Sequence, residues 1–139
     1  MPPDRRWAAL MRACRDGDDL RARALIKAGA DIEKPDNQGW TPLMSTVANG
    51  HDQCARARIE AKADIEKQTA QGNTALMLSC QNGHELCARE LIEAGAAFDK
   101  VLPDGSSPLL VASQTGHDLC ARALIEAKAA VDKAGNQGE

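Results

Sequence analysis

Residues 36–68 read DNQGWTPLMSTVANGHDQCARARIEAKADIEKQ, and the glycine, histidine and cysteine positions of this stretch recur at a fixed spacing along the chain. Gly39 is followed at equal intervals by glycines at 72, 105 and 138. Three further series share this interval: Gly17, Gly50, Gly83 and Gly116; His51, His84 and His117; Cys54, Cys87 and Cys120. Four series at one period of about 33 residues indicate a repeat protein built from a stacked supersecondary unit.

Each unit is predicted to combine a turn with two short helices. Residues 36–39 supply turn chemistry, because Asn and Gly tolerate positive φ. Thr41 predicts an N-cap for a helix with Pro42 at its first position, and Gly50 marks the end of that helix. A second helix is expected after Gly50, with Asp52 in the first turn, where the helix dipole favours a negative charge.

The second helix is clearest in the third unit. Cys87, Ala88, Leu91 and Ile92 fall at i, i+1, i+4 and i+5, which is the spacing of one buried stripe on a helix. Gly95 then supplies the left-handed residue that ends this helix. The unit is therefore expected to be helical apart from its turn.

Three short motifs give the repeat a family resemblance. The Thr-Pro-Leu signature of the ankyrin repeat stands at residues 41–43, and altered forms of it stand at 74–76 and 107–109. The Gly-His opening of the second helix stands at 50–51, 83–84 and 116–117, and the Gly-Ala-Asp close at 29–31. From residue 4 to about residue 134 the chain resembles the ankyrin repeat family. The resemblance implies an all-α solenoid of about four helix–turn–helix units with short β-turn or hairpin tips.

The expected organisation is a single domain over residues 1–139. The units are 4–35, 36–68, 69–101 and 102–134, and residues 135–139 begin a truncated fifth unit. Arg21 stands where later units have cysteine, so the first unit is interpreted as an N-terminal cap. The fourth unit carries ordinary apolar residues, which predicts an uncapped apolar face. We expect a monomer that could self-associate through that end.

Partners of the family usually lie along the concave side, formed by the turn tips and the first helices. The resemblance therefore implies a protein–protein interaction module, a scaffold or adaptor, that binds another protein. The alternative is a regulatory or targeting segment of a larger protein, which could be an enzyme. The partner-binding positions mapped in this way are Trp7, Asn37, Gln38, Trp40, Asn49, Gln71, Asn73, Gln81, Asn82, Asp104, Ser106 and Gln114.

The two tryptophans are the most informative of these positions. Trp7 and Trp40 are one repeat length apart, so they are expected at equivalent places in adjacent units, side by side on the surface. Tryptophan is enriched among the residues that dominate interface energetics. The alternative is that each indole covers its own turn and supports the stack.

Composition and charge exclude several classes of function. The net charge is −3, and residues 1–35 carry only a small excess of eight Lys and Arg over six Asp and Glu. This is too weak for a nucleic-acid-binding surface. No apolar stretch is long enough for a membrane span, and no secretory signal opens the sequence. The odd count of five cysteines, with no CxxC pair, predicts reduced thiols in the cytosol or nucleus.

The repeated His-x-x-Cys pattern raises the question of zinc. His51 and Cys54, and their repeats, share one helical face, so two units could offer four ligands. Helix axes about 8–10 Å apart make convergence on one ion awkward, so buried packing of Cys and hydrogen bonding of His between units are preferred. Cys80 lacks a nucleophile's partner, and no phosphate loop, GxSxG or HExxH occurs. The sequence predicts no enzyme, no metal and no cofactor.

Two departures from the repeat concern stability. Arg58 stands on the buried stripe where Leu91 and Leu124 stand in later units, so it must extend outward or lose its hydration. It is either a residue that faces a partner or a tolerated defect. Lys62 and Lys128 replace the helix-ending glycine, which costs on the order of 1 kcal/mol for a left-handed residue.

Overall fold

The computed structural model describes the backbone of residues 3–137 and the side chains of residues 4–128. This part of the chain forms eight helices joined by turns, without a strand. The helices are α1 (Pro3–Asp16), α2 (Asp19–Lys27), α3 (Pro42–Ala48), α4 (Asp52–Glu60), α5 (Ala75–Gln81), α6 (Glu85–Glu93), α7 (Pro108–Gln114) and α8 (Asp118–Gln137). The helices pair in chain order, although α1 begins one residue before the predicted first unit and α8 extends past the predicted end of the fourth. The predicted all-α repeat solenoid is confirmed.

Side-chain caps explain where the short first helices begin. The hydroxyl of Thr41 accepts a hydrogen bond from the backbone amide of Met44 at 3.3 Å, and Thr74 caps α5 in the same way. Ser107 caps α7 through the amide of Leu110 at 3.2 Å. A cap of this kind contributes about 1 kcal/mol by satisfying an amide that has no partner within the helix.

The helices stack in two layers. The first helices pack in the order α1, α3, α5 and α7, and the second helices pack from α4 through α6 to α8. Helices α2 and α4 approach each other less closely than the later second helices do. The order of units along the chain is therefore the order of layers in space.

The buried core falls into two parts. Leu10, Cys14 and Ala22 belong to a small cluster confined to the first unit. A larger cluster runs from Leu43 to Leu124 through the other three units. Burial of each large side chain in these clusters contributes about 1.5–3 kcal/mol. The break between the two clusters lies at the interface between the first and second units.

Two glutamates bridge consecutive units outside the core. Both carboxylate oxygens of Glu33 accept from the amide of Asp64 at 3.1 Å, and Glu66 accepts from the amide of Ala97 at 2.8 Å. The ammonium group of Lys67 donates a hydrogen bond in the opposite direction, to the backbone carbonyl of Glu33 at 2.8 Å. These hydrogen bonds pair backbone groups that the loops leave unsatisfied, so they fix the position of each loop on the next unit.

The histidines form a second set of contacts between units. The Nε2 atom of His51 lies 2.9 Å from the carbonyl oxygen of Arg15, and that of His117 lies 3.1 Å from the carbonyl oxygen of Gln81. The predicted hydrogen bonding of these histidines between units is thus found at both positions. Each ring also packs over the glycine of the preceding unit. A Cβ on Gly50, for example, would lie 2.6 Å from Nδ1 of His84.

The ends of the second helices differ from prediction in the last unit. Lys62 has φ of 69° and is the left-handed residue expected at that position. Lys128 was expected to be left-handed too, but it lies inside α8, so that expectation is wrong. Without a glycine, Ala127 to Ala130 are strong helix formers and the helix continues. The turn expected from residue 135 is replaced by helix as far as Gln137, and residues 138–139 lie outside the described residues.

The glycine contacts predict a difference between two alanine variants. Gly50→Ala should destabilise the protein by more than about 2 kcal/mol, because it adds a steric clash with His84 to the cost of a left-handed alanine. Gly116→Ala is the matched control, since Gly116 has φ of 75° but no described atom lies within 4 Å of an added Cβ. That variant should lose only about 1 kcal/mol. Urea unfolding followed by circular dichroism gives both values. Equal losses would contradict the role of the imidazole contact.

A second pair of variants tests the two helix ends. Lys62→Gly should raise the free energy of unfolding by about 0.5–1 kcal/mol, because it relieves a left-handed lysine. Lys128→Gly should lower it by about 1 kcal/mol, because glycine is unfavourable inside a helix. Thermal unfolding of both variants provides the comparison. If both substitutions stabilised the protein, α8 would not run through Lys128.

Candidate partner-binding surface

The turn tips are closed by short hydrogen bonds. The amide of Asp36 donates to the carbonyl of Trp40 at 2.8 Å, and the amide of Thr69 donates to the carbonyl of Asn73 at the same distance. Leu102 closes the third tip by donating to the carbonyl of Ser106 at 2.8 Å. The carboxylate of Asp36 also accepts from the amide of Trp40 at 2.9 Å. Each tip therefore holds its side chains on a fixed backbone.

Two hydrogen bonds fix candidate residues to neighbouring parts of the array. The amide of Ala70 donates to the carbonyl of Gln38 at 2.9 Å, so the first two tips are joined. Within the third unit, the side-chain amide of Gln81 donates to Oδ1 of Asn73 at 3.0 Å. Gln81 is the last residue of α5 and Asn73 lies in the tip, so the tip and the first helix share one face.

The mapped positions differ widely in exposure. Trp7, Trp40, Asn73 and Gln81 are half-buried, and Ser106 is buried at 7% exposure. Ser106 therefore offers little surface to a partner, because its amide and carbonyl close the tip. The remaining positions are exposed: Asn37, Gln38, Asn49, Gln71, Asn82, Asp104 and Gln114. They form the part of the mapped set that a partner can reach.

The tryptophans do not occupy equivalent places. Trp7 lies within α1, whereas Trp40 directly precedes the cap of α3. The expectation of equivalence is wrong because α1 begins at Pro3 and has no turn where the other units have one. The indole of Trp7 donates to the carbonyl of Lys34 at 2.8 Å, and the ammonium of Lys34 lies 4.8 Å from the ring centroid. Trp7 thus covers the loop of its own unit, as the alternative predicted.

The cysteines are placed for packing. All five are free and buried. Burial raises the pKa of Cys14 and Cys54, and it raises the pKa of Cys87 to about 12. A hydrogen bond with Cys120, together with burial, also raises the pKa of Cys80. The thiolate is the nucleophilic form, so Cys14, Cys54, Cys80 and Cys87 are held in the unreactive state.

The positions of the histidines and cysteines bear on the zinc hypothesis. Among the residues that the structure describes, no three His, Cys, Asp or Glu side chains are arranged to hold a metal ion. The Nε2 atoms of His51 and His117 face backbone carbonyls instead. The repeated His-x-x-Cys pattern therefore reflects contacts between units and burial of the thiol.

A family comparison agrees with the layered helix pairs and the closed tips. The family model for ankyrin repeats, which comprises three copies, matches residues 2–69 and again residues 47–135. The chain belongs to the ankyrin repeat family. No curated protein matches the sequence. Ankyrin repeats are generally protein–protein interaction modules, and ankyrin repeat domains are typically non-catalytic. Within residues 3–137, no helix has both the length and the apolar character needed to cross a bilayer.

Arg58 is buried between the first two ankyrin units. It is 2% exposed, and its Nη2 atom lies 3.7 Å from Oδ1 of Asp19. Among the described residues, the Nε and Nη1 atoms of Arg58 make no hydrogen bond, and neither does Oδ1 of Asp19. The interpretation of Arg58 as a residue that faces a partner is therefore wrong. The side chain lies on the buried stripe and reaches the neighbouring helix instead of solvent.

The position of Arg58 coincides with the break in the core. The apolar cluster of the first ankyrin unit ends at this interface, and α2 and α4 are farther apart here than the later second helices. Leu91 and Leu124 fill the equivalent position at the next two interfaces. A buried cation with unsatisfied donors is costly, because its lost hydration is not replaced. Arg58 therefore weakens the docking of the first unit.

Sequence analysis missed a set of exposed leucines at the start of the second helices. Leu20 is 83% exposed, Leu86 is 58% exposed and Leu119 is 55% exposed. The separation of Leu86 and Leu119 is the repeat length, and Leu20 lies two repeats before Leu86. The sequence did contain a signal for this set. Leu86 and Leu119 each stand one residue before a buried cysteine, Cys87 or Cys120, so they share one place in the repeat. The set forms a row along the ankyrin array.

Several apolar side chains of the last unit are exposed among the described residues. Met44 and Met77 are at most 1% exposed because the following unit covers them, whereas Leu110 at the same place is 43% exposed. Ile125 of α8 is 56% exposed. Among the described side chains, this unit offers apolar surface that the preceding units bury.

We expect Arg58→Leu to raise the melting temperature by several degrees. The substitution removes a buried cation whose closest carboxylate oxygen is 3.7 Å away and places an apolar side chain on the buried stripe, which should gain about 1 kcal/mol; about 1 kcal/mol corresponds to about 4 °C in a domain of this size. Asp19 remains paired with Arg23 at 2.7 Å. Arg56→Leu, at a nearby exposed position of α4, is the control and should not stabilise. Differential scanning calorimetry measures both. An unchanged or lower melting temperature for Arg58→Leu would refute this account of the interface.

Proposed function

We propose that this protein is a non-catalytic, intracellular interaction module that binds a partner protein through its turn tips and first helices. The observation that carries the proposal is the set of exposed amide and carboxylate side chains on tips closed by hydrogen bonds. Gln38 and Gln71 represent this set, since they stand at the same place in adjacent tips. Because the tip backbone is already fixed, binding of a partner need not order the loops, which removes one part of the entropic cost of association.

The chemistry of the tips supports a polar interface. Asn37, Gln38 and Gln71 each offer both donors and acceptors, and Asp104 adds a carboxylate. Trp40 lies half-buried beside them and packs against the core, so it supplies a flat apolar edge next to the amides. An apolar centre with a polar rim is the usual composition of a protein interface.

The intracellular location rests on the thiols. Five buried cysteines without a disulfide fit a compartment that keeps thiols reduced. The proposal of a non-catalytic role rests on the family and on the unreactive state of Cys14, Cys54, Cys80 and Cys87.

The variant Gln38→Arg/Gln71→Arg tests the binding face. Both side chains are exposed and make no hydrogen bond within the described residues, so the fold should be retained while the face gains two bulky charges. Ala61→Arg/Ala94→Arg is the matched control, with the same charge change on two exposed helix ends one repeat length apart. Purified wild-type protein and both variants are used to capture proteins from the source cells, with quantification by mass spectrometry.

We expect a protein that wild type and the control retain and that the tip variant loses by about tenfold or more, as for a substitution in an interface centre. Circular dichroism of each variant checks that the fold is intact. Loss of the captured protein in the control alone would place the interface on the second helices and contradict the proposal. So would capture that does not exceed the bare resin.

A further inference from the structure

The start of each second helix forms an edge of the array that the proposed function does not use. We define this edge, called the helix-turn edge, as residues 50–54, 83–87 and 116–120, which lie after the mapped positions Asn49, Asn82 and Gln114. It lies at the opposite end of α3, α5 and α7 from the turn tips, because each first helix begins at a tip and ends at this edge. It is therefore a second surface, separate from the tips.

Apolar side chains protrude from the helix-turn edge without a structural reason. Leu86 and Leu119 are more than half exposed, while the neighbouring Cys87 and Cys120 are buried and complete the core. Single exposed leucines are common on protein surfaces. Here two of them flank one groove of about 270 Å³, together with Gly83, His84 and Glu85. Leu86 and Leu119 are the large apolar side chains of this groove, and His84 and Glu85 add polar groups to its lining.

The charge of the helix-turn edge has one sign. Its residues include three acids, Asp52, Glu85 and Asp118, and no lysine or arginine. Glu85 pairs with Arg89 along α6. Within the described residues, Asp52 and Asp118 take part in no ion pair. Asp52 and Asp118 stand at the place of Glu85 in the preceding and following units, so their carboxylates are available to cations of a partner that spans these units.

The spacing of the units suits a helix as the occupant. Packed helices keep their axes about 8–10 Å apart, so equivalent side chains in adjacent units are separated by about that distance. Seven residues of an α-helix rise about 10.5 Å. A partner helix that lies along the edge therefore meets Leu86 and Leu119 with apolar side chains about seven residues apart, and its flanks meet Asp52 and Asp118.

We propose that the helix-turn edge binds a basic amphipathic helix of a partner protein. Apolar side chains of that helix contact Leu86 and Leu119 and fill the groove between them. Lysine or arginine side chains on its flanks pair with Asp52 and Asp118. Gln53 replaces leucine in the second unit, so the apolar contact is limited to the third and fourth units. The charge contact extends to the second unit through Asp52.

The test uses a synthetic helical peptide of about 18 residues, long enough to span about three units. It contains leucine on one face and lysine elsewhere, and it carries a fluorescent label for anisotropy measurements. A second peptide keeps the leucines and replaces every lysine with glutamate. We expect the lysine peptide to bind wild-type protein, with an affinity that falls as salt increases, and the glutamate peptide not to bind.

Three variants separate the apolar contribution to peptide binding from the charge contribution. Leu86→Ser/Leu119→Ser should weaken binding of the lysine peptide by about tenfold or more, as expected for the apolar centre of an interface. Ile125→Ser, which removes an equally exposed apolar side chain from α8 away from the edge, should change it by less than about twofold. Asp52→Asn/Asp118→Asn should weaken it by about three- to tenfold and reduce its salt dependence.

Hydrogen exchange of wild-type protein provides a measurement that needs no variant. Bound lysine peptide should slow amide exchange in residues 83–87 and 116–120 and leave the turn tips unchanged. The variant Gln38→Arg/Gln71→Arg should bind the peptide as wild type does, so a failure of the tip proposal is distinguishable from a failure of this one. The inference is overturned if both peptides bind equally, if neither binds, if Ile125→Ser weakens binding as much as the leucine pair, or if protection appears elsewhere.

Discussion

The contact between an imidazole of one unit and a glycine of the unit before it sets the distance between layers. A Cβ on Gly17, Gly50 or Gly83 would lie 2.5 to 2.6 Å from the ring of the next unit, so only glycine allows the observed approach. The same approach brings the histidine Nε2 to a backbone carbonyl in two of the three cases. The close packing of consecutive units and the hydrogen bonds between them therefore depend on the same glycine–histidine pair, which is repeated along the chain.

Burial of the apolar residues follows from that spacing. Met44 and Met77 are covered by the following unit, and the equivalent Leu110 is exposed where no described unit follows. A single unit of this size has too little apolar surface to close a core by itself. The glutamate bridges of Glu33 and Glu66 act at the same interfaces and pair the backbone of each loop. The stability of each unit therefore depends on its contacts with the neighbouring units.

Arg58 shows what happens when one interface departs from the pattern. Its guanidinium lies where two later units place leucine, and two of its donors have no partner among the described residues. The two buried clusters meet at this interface, where Ile32 packs against both, and α2 and α4 are farther apart than the later second helices are. A buried cation with unsatisfied donors lowers the stability of the interface between the first two units.

The two proposed surfaces differ in chemistry for a physical reason. The tips are tight turns, where amides and carboxylates are favoured because they hydrogen-bond the local backbone. The helix-turn edge consists of first helical turns, where acids are favoured by the dipole and one position per unit points to solvent. At that position the sequence carries leucine in three units, although the fold does not require it. The array thus presents a polar face at one end of its first helices and an apolar, acidic edge at the other.

The fixed repeat period, the caps at Thr41 and the glycine at 95 were sufficient to determine the architecture, because they follow from local backbone preferences repeated in every unit. The position of Arg58 on the buried stripe could be predicted for the same reason, whereas the sequence left open whether its side chain would extend outward. The sequence could not tell that Arg58 would reach Asp19, that Ser106 would be buried, or that Trp7 would cover Lys34, since each depends on contacts between distant residues. Nor could it place Lys128, because a helix end depends on competition between local propensity and the packing of a following layer. Only the tertiary structure decides which side chains a neighbouring unit covers, and that decides which residues remain for a partner.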